Sequence, residues 1–254
     1  MRTLLYITLV FCVLSCSKSS GSAPDQGAKP EPVTPIQASQ NSKNKVEYFK
    51  KTSNGAAVKI ACEGTSITYG QNTTDATIIP AAPGYPSGFT RSEFQYPFVL
   101  RDHLKAVGIK ANVISRSYPG DRTTEGLSRW KDSISADVTI LEYATNDALN
   151  NGKYPDGIVS VAKFETQLSA LIERRLGQGA WVIICTPPEV RRNPTALLSY
   201  TAVIRNLAAK YDLPVFEVQQ NIQNIGNIYS DNVHLNAAAN LEWGNKISAL
   251  LKKQ

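Results

Sequence analysis

The chain predicts a three-layer α/β/α sandwich around a five-stranded parallel sheet, and two observations carry that prediction. Five short runs, residues 58–62, 111–115, 138–143, 181–185 and 214–218, are almost continuously apolar, as strands buried on both faces are. Segments with helical spacing separate most of them, and alternating strands and helices build a parallel sheet with helices on either side. With 42% hydrophobic and 19% charged residues in 254, the chain can fill an ordinary core.

The elements follow in order. Arg2 and the apolar residues 4–14 read as a signal peptide, too short to span a bilayer. The segment ends Val13-Leu14-Ser15-Cys16, which resembles the lipobox of bacterial lipoproteins. That resemblance implies a signal peptide over residues 1–15 and a lipidated Cys16 heading the mature chain. After it, SKSSGSAPDQGAKPEPVTPIQASQNSKNK has almost no large apolar side chains. It cannot bury enough surface to offset the entropy of ordering, so residues 16–45 are expected to be a disordered tether. The folded domain is then expected over 46–254, lipid-anchored in the bacterial cell envelope and facing the periplasm or the cell surface. Cys12 leaves with the signal and Cys16 takes lipid, so Cys62 and Cys185, in different strands, are expected as buried free thiols.

Residues 58–62 form the first strand, followed by Gly64-Thr65-Ser66. Residues 71–95 read as an insertion that carries Tyr85 and Phe89, few aliphatic residues, and lies beside Ser66 in the chain. A helix over 97–107 is stopped by Gly108, and 111–115 and 138–143 are the next strands. Val161, Phe164, Leu168 and Leu171, spaced three, four and three apart, mark a helix with Gly177 just beyond its end. Strand 181–185 follows. Leu197, Tyr200, Ile204, Leu207 and Tyr211 line one face of another helix, 214–218 is the fifth strand, and 236–251 the closing helix. Trp130, Trp181 and Trp243 are expected in the core.

Composition removes several functions. The net charge of +6 is scattered, with no basic face for nucleic acid. No zinc-type ligand spacing, phosphate-binding Gly-rich loop with lysine, or dinucleotide fingerprint occurs, so neither metal nor cofactor is expected. Thr68 stands where the second glycine of Gly-x-Ser-x-Gly would be, against an α/β-hydrolase.

Parallel sheets bind ligands beyond the carboxyl ends of their strands. There the chain places Ser66, Gly120, Asn146 with Asp147, and Asp231 with His234. A serine hydroxyl attacks well only if an imidazole takes its proton, and the imidazole works best when a carboxylate holds its tautomer. Asp231 and His234, three apart, can share one turn. The oxyanion needs donors: the Ser66 N–H at the start of a helix, with Gly120 and Asn146 as further candidates. Each residue has a plainer explanation, since Ser66 could cap a helix, Asn146 could form a turn and Asp231 could cap the last helix. Of the two histidines, His103 lies inside an amphipathic helix, which leaves His234 as the base.

The four blocks resemble those of the SGNH hydrolase superfamily, the GDSL esterases and lipases, over residues 58–251. The resemblance implies a flavodoxin-like sheet, Ser66 as nucleophile, Asp231 and His234 as its relay, and an oxyanion hole of Ser66, Gly120 and Asn146. The chain departs from the pattern at Thr65, usually Asp, at Ala144, usually Gly, and around Ser117 and Pro119. Neither of the first two changes removes a catalytic atom. The expected activity is ester hydrolysis through an acyl-enzyme, with the polar, aromatic-spotted insertion favouring a small acyl group such as acetyl on carbohydrate. Competing readings are a lysophospholipase or thioesterase, an O-acetyltransferase, and a non-catalytic glycan-binding lipoprotein.

Overall fold

The computed structural model describes residues 35–252 except 73, 133, 150, 151 and 192. The expected signal peptide, Cys16 with its lipid, and the first part of the tether lie outside the described residues.

Helix α1 (Pro35–Ser53) precedes β1 (Val58–Gly64) and the single-turn α2 (Ser66–Tyr69). The insertion holds an antiparallel ribbon of β2 (Ile78–Pro80) and β3 (Thr90–Ser92). Then come α3 (Tyr96–Ala106), β4 (Ala111–Ser117), α4 (Thr123–Arg129), β5 (Val138–Glu142), α5 (Thr145–Ala148) and α6 (Val161–Gly177). The chain closes with β6 (Trp181–Thr186), α7 (Leu198–Tyr211), β7 (Val215–Glu217), α8 (Val218–Ile222) and α9 (Ala237–Ser248).

The five expected strands form one parallel sheet in the order β4-β1-β5-β6-β7. Side chains alternate across it, so β5 and β6 each feed two cores. Ile60 and Cys62, Val138 and Ile140, and Ile183 and Cys185 pack with α3, α8 and α9, while Leu141, Val182 and Ile184 pack with α6 and α7. The result is a three-layer α/β/α sandwich. Trp181 and Trp243 are buried in the first core, whereas Trp130 is half-buried under the Arg116 guanidinium. Cys62 and Cys185 are buried free thiols on strands separated by β5.

Two charged residues, Lys59 and Glu63, break the apolar pattern of β1. Glu63 is fully buried and ion-paired to Arg175 at 2.8 Å and Arg116 at 3.0 Å. Burial raises its pKa and the two guanidiniums pull it back. Removing one member of such a group leaves a charge stranded in the interior, which typically costs about 3–5 kcal/mol.

The tether boundary needs correction, because residues 35–45 belong to α1. This helix is anchored by amides where hydrophobic anchors are sparse. The Asn44 side chain donates to the Ala180 carbonyl at 2.7 Å. Asn41 accepts the Val182 N–H at 2.8 Å and donates to the Val182 carbonyl at 3.3 Å. Its carboxamide thereby completes the β6 ladder where β7, only three residues long, does not reach. Buried polar groups need partners, and composition alone cannot distinguish asparagines with such partners from those of a disordered segment.

Candidate active site

The turn after β1 is built around one glycine and one capping threonine. A Cβ at Gly64 would collide with Thr68 Oγ1 and sit 2.6 Å from the Glu142 carbonyl, so only glycine lets the strand end there. Thr65 is the N-cap of α2, its hydroxyl accepting the Ile67 N–H at 3.1 Å. The cap is therefore Thr65, and Ser66 is released from that role to begin the helix. The Thr65 hydroxyl also donates to Glu142 Oε2 at 2.9 Å, and Thr68 donates to the same oxygen at 3.0 Å. Glu142 is fully buried, and burial raises its pKa against these hydrogen bonds. Because α2 is a single turn, a donor at its start acts through its own N–H, with little help from a macrodipole.

Ser66 and His234 meet across 168 residues of chain, with Ser66 Oγ 3.0 Å from His234 Nε2. His234 Nδ1 lies 2.7 Å from Asp231 Oδ2, while Asp231 Oδ1 accepts the N–H groups of Val233 and His234, each at 2.7 Å. Burial would raise the Asp231 pKa, but the imidazole and the two backbone donors overcome it and hold the carboxyl well below the usual range. Asp231 remains ionised beside the ring, as an orienting carboxylate must. The cap of α9 is Asn236, which accepts the Ala239 N–H at 2.9 Å, so Asp231 is free of that duty.

The insertion fastens this loop. The Thr74 hydroxyl donates to the Ser230 carbonyl at 2.6 Å, and the Asp75 carboxylate accepts the Ala237 N–H at the start of α9. Its Tyr85 stacks between Tyr69, with ring centroids 4.7 Å apart, and Tyr118, at 5.3 Å. Residues 71–95 thus tie together the segments after β1, after β4 and before α9.

Gly120 and Asn146 line a cavity of about 210 Å³ together with Ser66, His234, Gln71, Thr145, Leu149 and Val233. Asn146 Nδ2 donates to the Asp121 carbonyl at 3.0 Å, which fixes the amide against the loop after β4. Asp147 holds that loop from the other side, accepting from Thr123 N at 2.9 Å and Thr123 Oγ1 at 2.6 Å. Burial pushes the Asp147 carboxyl up to about 6. Ala144, which precedes this turn, has φ +113° and no exposure. That conformation strains any residue with a Cβ, at a cost of order 1–3 kcal/mol.

All the expected residues inside the described chain therefore gather at one sheet edge: Ser66, Asp231 and His234 in a hydrogen-bonded line, and Gly120 and Asn146 in the wall beside the serine. His103 is far along α3, bonded to Asn245 and Lys252. Glu142 and Thr145 escaped the sequence reading, although a carboxylate ending an apolar strand was a usable signal for the first. Among the described residues, no cluster of three His, Cys, Asp or Glu side chains could hold a metal ion.

A parallel three-layer sandwich with these groups at its carboxyl edge is an SGNH-type hydrolase, an enzyme acting on ester bonds. The GDSL-like lipase/acylhydrolase family matches residues 62–240, and the chain belongs to that family. No curated protein matches it. Among solved structures, it resembles the acetyl xylan esterase AlAXEase (TM-score 0.61, 21% identity, covering 77% of this chain and 100% of that one). It also resembles the acetylxylan esterase of Geobacillus stearothermophilus (0.59, 15%, 78% and 95%). A third is the lipase/acylhydrolase of Enterococcus faecalis (0.58, 23%, 78% and 99%). At these identities the likeness is one of fold.

Proposed function

We propose that this protein is a serine esterase that removes small acyl groups, acetyl first among them, from carbohydrate. Ser66 Oγ attacks the ester carbonyl as His234 Nε2 takes its proton, and Asp231 stabilises the imidazolium. The N–H groups of Ser66 and Gly120 and the Asn146 amide receive the oxyanion. His234 returns the proton to the departing sugar oxygen, and the acyl-enzyme is then hydrolysed by a water that the same imidazole deprotonates.

The observation that carries the substrate reading is size. The cavity at Ser66, about 210 Å³ and bounded by Leu149 and Val233, falls below the ~300–1,000 Å³ usual for drug-sized ligands. It has room for a short acyl group. The insertion that follows Ser66 in the chain is polar with few aliphatic side chains, which suits a sugar on the alcohol side, and the fold shared with acetyl xylan esterases is consistent with this. A lipid at Cys16 would hold the enzyme at the cell envelope, within reach of surface glycans. The test is an acyl-chain-length profile on p-nitrophenyl esters with acetylated polysaccharides in parallel. Acetate esters are expected to be cleaved best, and a preference for long chains would reject the reading.

A further inference from the structure

We propose that Lys153 is a positioning residue that keeps the Gly120 N–H aimed at the reacting carbonyl oxygen, an inference that rests on Gly120 being an oxyanion donor. Residues 118–121 form a turn closed by the Asp121 N–H donating to the Tyr118 carbonyl at 3.1 Å. Pro119 stands second and Gly120, at φ +83°, third, the arrangement of a type II turn. Types I and II differ chiefly by rotation of the central peptide, here Pro119–Gly120, which exchanges the directions of its C=O and N–H. Because that peptide is planar and trans, its two dipolar groups point opposite ways. Whatever grips the Pro119 carbonyl therefore decides where the Gly120 N–H points.

Lys153 Nζ donates to the Pro119 carbonyl at 3.1 Å, and the Tyr154 hydroxyl donates to the Gly120 carbonyl at 3.0 Å. The ammonium packs so closely that a Cβ on Gly120 would lie 2.6 Å from Nζ. With the carbonyl held on the lysine side, the N–H of the same peptide faces away from it, and Gly120 is a wall of the cavity containing Ser66 and His234. A cation on the carbonyl also polarises the amide, making its N–H a stronger donor.

Among the described residues, the groups facing Lys153 include Asp121 in the turn, Arg122 at the N-cap of α4, Glu125 and Arg129 within α4, and the Tyr118 and Tyr154 rings. Burial lowers the lysine pKa from its ordinary 10.5, Asp121 and Glu125 raise it, and Arg129 and Arg122 lower it, for a net decrease. The charged form is the one that holds the peptide, so kcat should fall as pH rises through this lowered value.

The experiment measures kcat and KM on p-nitrophenyl acetate against pH for the whole protein, Lys153→Met, Lys153→Arg and Ser66→Ala. Lys153→Met is expected to lose roughly tenfold in kcat, less than deletion of a donor outright, with KM unchanged and the alkaline decline gone. Lys153→Arg should recover most of the rate. Wild-type kcat in Lys153→Met, with Ser66→Ala inactive, overturns the lysine's role and leaves the acyl-enzyme reading standing. A loss that arginine does not restore, or one shared with KM, marks plain structural damage and also overturns it. Full activity in Ser66→Ala overturns both.

Discussion

The turn after β1 and the turn after β5 meet at Glu142, and each carries a residue unusual for the family, yet they accommodate it in opposite ways. Thr65 replaces a polar residue with another polar residue, and its hydroxyl finds two tasks, capping α2 and donating to Glu142. Ala144 stands where glycine supplied only backbone freedom, and it remains at φ +113°. A side chain can take over another side chain's hydrogen bonds, but no side chain supplies conformational freedom that its own Cβ removes. One departure is absorbed as bonding, and the other persists as strain beside Asn146.

Five substitutions test this contrast. Ser66→Ala, on the relaxed turn, should lower kcat by about 10⁴-fold or more and abolish labelling by a fluorophosphonate, while the thermal midpoint stays near wild type. Asn146→Ala, on the strained turn, should lose about 10²–10³-fold in kcat, on the order of 3–4 kcal/mol, and remain folded. Full activity in that variant removes Asn146 from the oxyanion site. Thr65→Val deletes a cap and a donor to a buried carboxylate, and should cost roughly 2–3 kcal/mol by denaturant titration, whereas Thr65→Ser should cost little. Ala144→Gly should gain about 1 kcal/mol, raising the melting temperature by about 2–4 °C with kcat preserved. A lowered midpoint there would mean that Ala144 packing outweighs its strain.

The sheet could be read from the chain because each strand is built on a short, nearly continuous apolar run. The meeting of Ser66, Asp231 and His234 could be read because each lies within a few residues of a strand's carboxyl end or of α9, so chain order nearly dictates position. Other contacts had no such signature. Lys153 and Tyr154 reach the Gly120 turn from across 34 residues by way of ordinary surface-type side chains, and Tyr85 finds Tyr118 through an insertion whose path no periodicity describes. The start of α1 was hidden for a different reason, since Asn41 and Asn44 look like solvent-loving residues until their backbone partners are known.

The Asn41 carboxamide has a consequence beyond stability. By pairing with Val182 it occupies donor and acceptor groups on the flank of β6 that would otherwise be open to a strand from another molecule. A chain trimmed at residue 45 would keep every group around Ser66 and still expose that flank. It should lose solubility by intermolecular strand addition before it loses its active-site geometry, and the first turns of α1 therefore guard against self-association.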